Sequence, residues 1–268
     1  MEITEAHIYD FQIRVFAFYA ASGRDLPWRK TTDPYRILIS EFMLQQTQVS
    51  RVIERYATWI EMWPTINHVA QASRIEILRA WMGLGYYTRA GNLHNAAKMI
   101  VADYRGDVLQ AVRSGNKIPG IGAYTARAVQ VFAANDDLAL VDTNIRRILI
   151  HEFGLCDDVP DGDIWKAAER CLPRGRSREW HNALMDYGAL HLTGKKTGIK
   201  PRTRQPAFRG SDRQIRAQIL RMLLEGPASL CELQPHLSVT EERLHRILDK
   251  MVHEKLLIAR NRLYHLAS

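Results

Sequence analysis

Residues 118–125 read Ile-Pro-Gly-Ile-Gly-Ala-Tyr-Thr, and Asp142 follows eighteen residues after Tyr124. Gly120 and Gly122 flank one apolar residue. That spacing predicts a tight hairpin closed by glycine, because such turns need positive φ. The next run, Thr125-Ala126-Arg127-Ala128-Val129-Gln130-Val131-Phe132, predicts a helix. Hairpin and helix amides at Gly120, Gly122, Ala123 and Thr125 then point outward as a phosphate clamp. Asp142 stands in Leu140-Val141-Asp142-Thr143-Asn144, just ahead of the helical Ile145–Leu149. An Asp at that place is commonly a helix N-cap. A phosphate clamp beside a carboxylate also suits chemistry on a nucleic-acid sugar.

Helical spacing dominates the first two thirds of the chain. Helices are expected near 4–21, 33–48, 49–62, 73–81, 88–104, 107–114, 122–134, 143–153, 161–171 and 177–190. No βαβ alternation and no long alternating strand interrupts them, so the fold class is mainly α. The chain has 268 residues, 46% of them hydrophobic, enough to bury one large core or two ordinary ones. A net charge of +8 fits a nucleic-acid binder, although a merely basic protein has the same balance. Cys156, Cys171 and Cys231 are too few and too far apart for a disulfide framework or a thiolate cage. No signal region or membrane-length apolar run is evident, so a cytoplasmic location is expected.

Composition changes after Leu192. Residues 193–209 carry Gly, Pro and basic side chains without an acid, which reads as a linker or basic arm. Residues 211–268 then suggest three short helices and two strands around an Asn-containing turn, a winged-helix-like pattern. The expected organisation is therefore 1–192, a basic arm at 193–210, and a C-terminal domain at 211–268. A winged helix binds DNA in some proteins and a protein partner in others.

Glu41 lies in Ile39-Ser40-Glu41-Phe42-Met43-Leu44-Gln45-Gln46-Thr47-Gln48. Its apolar neighbours argue for burial, which raises a carboxyl pKa and keeps it able to donate a proton near neutral pH. Gln45, Gln46 and Gln48 cluster where the helix is expected to end, a place from which amides can reach base edges. In Gly83-Leu84-Gly85-Tyr86-Tyr87-Thr88-Arg89, Tyr87 reads as core and Tyr86, at the turn, as a ring that can stack between bases.

These segments, with Leu26-Pro27-Trp28-Arg29 ahead of them, occur in one order over residues 24–190. The pattern resembles the helix–hairpin–helix DNA glycosylases, most closely the adenine-mismatch, or MutY, branch. The resemblance implies a two-lobed helix–hairpin–helix glycosylase fold and a flipped-out adenine, with double-stranded DNA carrying a mismatch or lesion as partner. It implies that Glu41 protonates the purine and that Asp142 stabilises the positive charge left on the sugar. Tyr124 and Asn144 would orient the two acids. Trp28, Arg29 and Asp186 would line the base pocket, while Gln46 and Tyr86 would enter the duplex. Tyr124 stands where the endonuclease III branch carries a lysine, so no Schiff base and no strand cleavage by that route are expected.

The chain departs from the family in two places. Most relatives hold an iron–sulfur cluster on four cysteines, and the usual spacing puts Leu192, Ile199, Arg202 and Phe208 there. No cluster and no other cofactor is therefore expected. The arm keeps Lys195, Lys196, Lys200, Arg202 and Arg204 as phosphate ligands. The family's usual C-terminal domain is also replaced by the winged-helix-like segment, which leaves the preference for 8-oxoguanine open. The chain is expected to act as a monomer. Removal of thymine or uracil from mispairs with guanine is the nearest alternative, and a non-catalytic DNA-binding regulator is another.

Overall fold

The computed structural model of the chain describes residues 3–200 and 207–267. In chain order the helices are α1 (Glu5–Ser22), α2 (Pro34–Leu44), α3 (Val49–Met62), α4 (Ile66–Gln71), α5 (Arg74–Ala80), α6 (Thr88–Tyr104), α7 (Val108–Arg113) and α8 (Ala123–Val129). There follow α9 (Thr143–Phe153), α10 (Asp161–Arg170), α11 (Ser177–Asp186), α12 (Gly194–Thr197), α13 (Asp212–Leu223), α14 (Leu230–Leu233) and α15 (Glu241–His253). Among the described residues strands occur in the C-terminal part alone: β1 (Ala228–Ser229), β2 (Leu257–Arg260) and β3 (Leu263–Leu266). The chain is mainly α, as its periodicity predicts. Among the described residues no helix is long and apolar enough to cross a membrane.

Local chemistry explains most boundaries. Thr4 caps α1 by accepting from the His7 amide, and Ser73 with Glu76 forms a reciprocal capping box on α5. Gly154 ends α9 in the left-handed conformation that such caps require. The structure differs from the expected spans in three ways. α2 stops at Leu44, so Gln45 and Gln46 form a turn and Gln48 precedes α3 instead of extending a helix. α8 and α11 both loosen into π-helical turns, at Gln130–Ala134 and Tyr187–His191. The short helices α4 and α12 occupy stretches where no helix is expected.

Two compact units divide the chain. One comprises Met1–Glu41, Val108–Lys117 and Ile121–Arg204. Phe11 organises its core, making edge-on contacts with Phe153 at 5.6 Å, Trp180 at 5.4 Å and Tyr187 at 6.4 Å. Such ring pairs add to the gain from the apolar area they bury. The other unit comprises Phe42–Asp107, Ile118–Gly120 and Gln205–Ser268. Here Trp59 packs on Trp63 at 4.5 Å and on Trp81 at 5.6 Å.

In the C-terminal part, α13, α14 and α15 surround a core that includes Ile219, Leu233, Leu244, Leu248 and Met251. The strands form an antiparallel sheet of order β1-β3-β2, with Leu257 opposite Leu266 and Arg260 opposite Leu263. Asn261 and Arg262, at φ 52° and 63°, close the β2–β3 hairpin with the backbone twist that a two-residue loop favours. Three helices and a small wing make this module winged-helix-like. Compactness joins it to Phe42–Asp107, whereas sequence character marks it off from 193–210 and from everything before 193. Arg74 Nη2, for example, donates to the Lys255 carbonyl at 2.7 Å.

Candidate active site

Glu41 is carried by a helix whose Ile37, Leu38, Ile39, Phe42 and Met43 are fully buried. The glutamate itself is only 9% exposed. Loss of hydration penalises its charged form, and the negative charge of Asp142 adds to the penalty. Together they push the Glu41 carboxyl from an ordinary 4.5 up to about 7. At neutral pH much of the population holds a proton on Glu41.

Asp142 is set up differently. It is the N-cap of α9: its Oδ1 accepts from the Ile145 amide at 2.7 Å, while Oδ2 accepts from Asn144 Nδ2 at 3.1 Å. The N-cap reading and the catalytic reading are therefore compatible, because capping uses one oxygen and orients the other. Burial raises the Asp142 carboxyl above its ordinary 3.8, opposed by these donors and by the charge of Arg147. Donors that favour the anion surround Asp142, whereas burial and the charge of Asp142 both favour the neutral form of Glu41. Asp142 therefore ionises first, and Glu41 keeps its proton to higher pH. The charges of both acids, behind the larger effect of burial, hold the half-buried Tyr124 phenol well above its usual range. Tyr124 is thus neutral and able to donate.

Three further residues support Asp142 and were not singled out from the sequence. Arg147 Nη2 donates to Asn144 Oδ1 at 2.8 Å and to the Gly188 carbonyl at 2.8 Å, and its Nε donates to the Leu192 carbonyl at 2.8 Å. That anchor settles which end of the Asn144 amide faces Asp142. Gly188 permits the approach: a Cβ there would lie 3.1 Å from Asn144 Cβ and 3.0 Å from Ile148 Cδ1. His181 accepts from the Leu140 amide at 2.9 Å through Nε2, and its Nδ1 meets the Ser177 carbonyl at 2.8 Å. A backbone amide can only donate, so Nδ1 carries the proton and the ring is neutral. Burial lowers His181 to about 4 in agreement. Leu140 is two residues before Asp142, and nothing in its spacing from His181 reveals the pair.

Beside Asp142 lies an open cavity of about 310 Å³, lined in part by Thr143, Arg147, Trp165 and Lys200. Arg29 and Asp186, expected at the pocket wall, are bound to each other. Arg29 Nη1 and Nη2 donate to Asp186 at 2.7 and 2.8 Å, and the Arg24 amide and Nε donate to it at 2.7 and 2.6 Å. Asp186 is fully buried and its carboxyl is held below the usual range, chiefly by Arg29 against the opposing effect of burial. Trp28 is buried in the 3-10 turn Pro27–Arg29 beside this ion pair.

Of the two hairpin glycines, only Gly120 needs to be glycine for the fold. It sits at φ 72°, and a Cβ would come within 2.7 Å of the Phe42 ring and 2.8 Å of Asn92 Cβ. Gly122, contrary to expectation, is extended at φ −85°, and a Cβ there would meet nothing within 4 Å. Gly122 and Ala123 are exposed, at the start of α8, whereas Thr125 is buried. Of the four residues expected in a phosphate clamp, Gly120, Gly122 and Ala123 are exposed and Thr125 is not.

In the other unit, Gln46 and Tyr86 are both non-glycine residues with positive φ, 57° and 48°. Such outliers persist only where neighbours hold them, and Arg89 does so here. Its Nη1 donates to the carbonyls of Phe42 and Met43 at 2.6 and 3.0 Å. Its Nη2 donates to Thr47 Oγ1 at 3.0 Å and to the carbonyls of Leu84 and Gly85 at 3.1 Å. Gln46 and Gln48 are exposed, Gln45 and Tyr86 half-buried. Lys195 and Lys196 are exposed on α12, which Thr193 caps, and Lys200 is exposed beyond it. Arg202 and Arg204 lie outside the described residues.

The four places where the family carries cluster cysteines do not fit a cluster. Leu192 is buried with its carbonyl committed to Arg147, and Ile199, Arg202 and Phe208 have no thiolate to offer.

Comparison with known proteins shows the family of the chain. Residues 39–173 match the family model for HhH-GPD superfamily base excision DNA repair protein. Adenine DNA glycosylase of Mycolicibacterium smegmatis is 36% identical over 243 residues, 83% of either chain. The protein of the same name from Mycobacterium tuberculosis is 35% identical over 93% of this chain and 90% of that one. Among solved structures, a thermostable thymine-DNA glycosylase superposes with a TM-score of 0.68 at 29% identity, over 73% of this chain and 92% of that one.

Proposed function

Because the chain belongs to the HhH-GPD superfamily of base excision DNA repair proteins, and to its adenine-mismatch branch, we propose that it hydrolyses the N-glycosidic bond of adenine mispaired with 8-oxoguanine or guanine. The observation that carries this reading is the division of labour between two acids, Glu41 buried and Asp142 half-buried. Glu41 keeps a proton near neutral pH, while Asp142, held by the Ile145 amide and Asn144, is the anion.

Protonating the flipped purine turns a poor leaving group into a neutral base. The electron pair of the glycosidic bond leaves with the base, and the sugar is left with oxocarbenium character. The Asp142 carboxylate stabilises that charge, and water then adds to the sugar carbon, its released proton restoring the acid form of Glu41. Asn144, fixed by Arg147, keeps the carboxylate aimed, and Tyr124 donates within the field of the two acids. Tyr124 has no amine to form a Schiff base, so the product is an intact strand with an abasic site. Gln46 and Tyr86 fill space in the duplex around the partner base. Gly120, Gly122 and Ala123, with Lys195, Lys196 and Lys200, hold phosphates. The substrate is double-stranded DNA carrying the mismatch, on which the protein acts as a monomer in the cytoplasm, at the nucleoid if the cell is prokaryotic.

The 29% identity to a thymine-DNA glycosylase supports a second reading, removal of thymine or uracil opposite guanine. Single-turnover reactions on A·8-oxoguanine, A·G, T·G and U·G duplexes, quenched with and without alkali, decide between them. Breakage at A only after alkali is expected. Breakage at T or U moves the assignment to pyrimidines, breakage without alkali restores a lyase, and silence on all four leaves a DNA-binding protein.

A further inference from the structure

The winged-helix-like module reaches one residue of the proposed DNA-entering pair. Arg213, in the first turn of α13, donates from Nη1 to the Tyr86 hydroxyl at 2.7 Å across 127 residues of sequence. The same guanidinium lies 5.4 Å from the centre of the Tyr86 ring and 6.0 Å from that of Phe208. Arg89 lies 5.6 Å from the Tyr86 ring. Tyr86 is therefore held by two cations, one from the start of α6 and one from the C-terminal module. It is held in a left-handed conformation that a bulky side chain does not adopt unaided. Arg89 also fixes the carbonyls on either side of the loop, so it explains the backbone. Among the described residues, it is Arg213 that donates a hydrogen bond to the phenol oxygen, and so sets where the ring points.

We propose that Arg213 is a positioning residue for Tyr86, and that the winged-helix-like module serves the excision reaction through this contact. The proposal rests on the reading that Tyr86 enters the duplex beside the partner base. A ring that is already aimed loses less freedom on entering DNA, so more of the binding energy remains for extruding the adenine. Arg213 thus changes the rate of excision more than the affinity for DNA.

The test uses the full-length protein and an A·8-oxoguanine duplex, with the single-turnover rate and the Kd measured for each variant. Arg213→Ala and Tyr86→Phe each slow excision about tenfold, with a smaller change in Kd. The double variant is slowed by less than the product of the two, because both remove one contact. Arg213→Lys, which keeps a donor and a charge, recovers part of the rate. Two independent, multiplying effects in the double variant overturn the proposal, as does a wild-type rate for Arg213→Ala while Tyr86→Ala is slow. In that second case the duplex role of Tyr86 stands. A wild-type rate for Tyr86→Ala removes that role and the proposal with it. If Arg213→Ala does not fold, Arg213→Lys combined with Tyr86→Phe completes the cycle.

Discussion

The proposed acid pair and the two loops proposed to face DNA solve opposite problems. At Glu41 and Asp142 the side chains carry the chemistry, and burial with a few donors sets which acid holds the proton. At Gln46 and Tyr86 the backbone carries the information, and Arg89 ties both left-handed turns to one guanidinium. Reactive groups are tuned by what solvent is denied to them. The two residues proposed to enter the duplex are tuned by what their neighbours forbid them to relax into.

The comparison is broken most directly at the acids. Glu41→Gln and Asp142→Asn keep shape but lose the proton donor and the anion. Each should reduce single-turnover excision about a thousandfold with duplex affinity retained. Turnover within a few-fold of wild type in either variant removes that residue from the mechanism. On the loop side, Arg89→Ala strands several buried carbonyls and should cost about 3–5 kcal/mol of stability in denaturant unfolding. A loss below about 1 kcal/mol means the turns hold themselves.

Titration sharpens the contrast, since only the acid side depends on pH near neutrality. Glu41 acts protonated, so excision should fall as pH rises through about 7. Its folded pKa is raised, so the corresponding stability is complete below about 4.5 and is lost as pH climbs through about 7. Above that, Glu41→Gln should therefore be more stable than wild type, by up to about 3 kcal/mol, with the difference vanishing near pH 4. A pH-independent difference contradicts the assignment.

The two hairpin glycines separate structure from binding, and the second gives the smallest effect. Gly120→Ala forces a positive φ and a clash with Phe42, and should destabilise by about 2–4 kcal/mol. Gly122→Ala meets open space and should cost about 1 kcal/mol or less, while weakening DNA binding. Equal stability losses in thermal melts would mean that both glycines serve the fold.

The order of helices, the Asp142–Ile145 cap and the Glu41 helix could all be read from residues close together in the chain. Periodicity and capping are local properties, and Glu41 declares its burial through Ile37, Ile39, Phe42 and Met43. The early end of α2 at Leu44 could not be read, because Gln45 and Gln46 are tolerable helix formers. What stops the helix is Arg89, 46 residues beyond Met43, collecting the last carbonyls. Nor could the roles of Arg147, His181 and Arg213, whose partners lie on other elements.

The sequence by itself determined a helical chain with a winged C-terminal module, its family, and the two acids, because each is written in short-range pattern or in motif order. Only the tertiary structure decided that Arg29 and Asp186 are bound to each other, that Gly122 is free of strain, and that Tyr86 answers to α13. Those outcomes depend on which carbonyls, charges and rings meet across 40 to 160 residues of chain, and one-dimensional spacing does not specify such meetings.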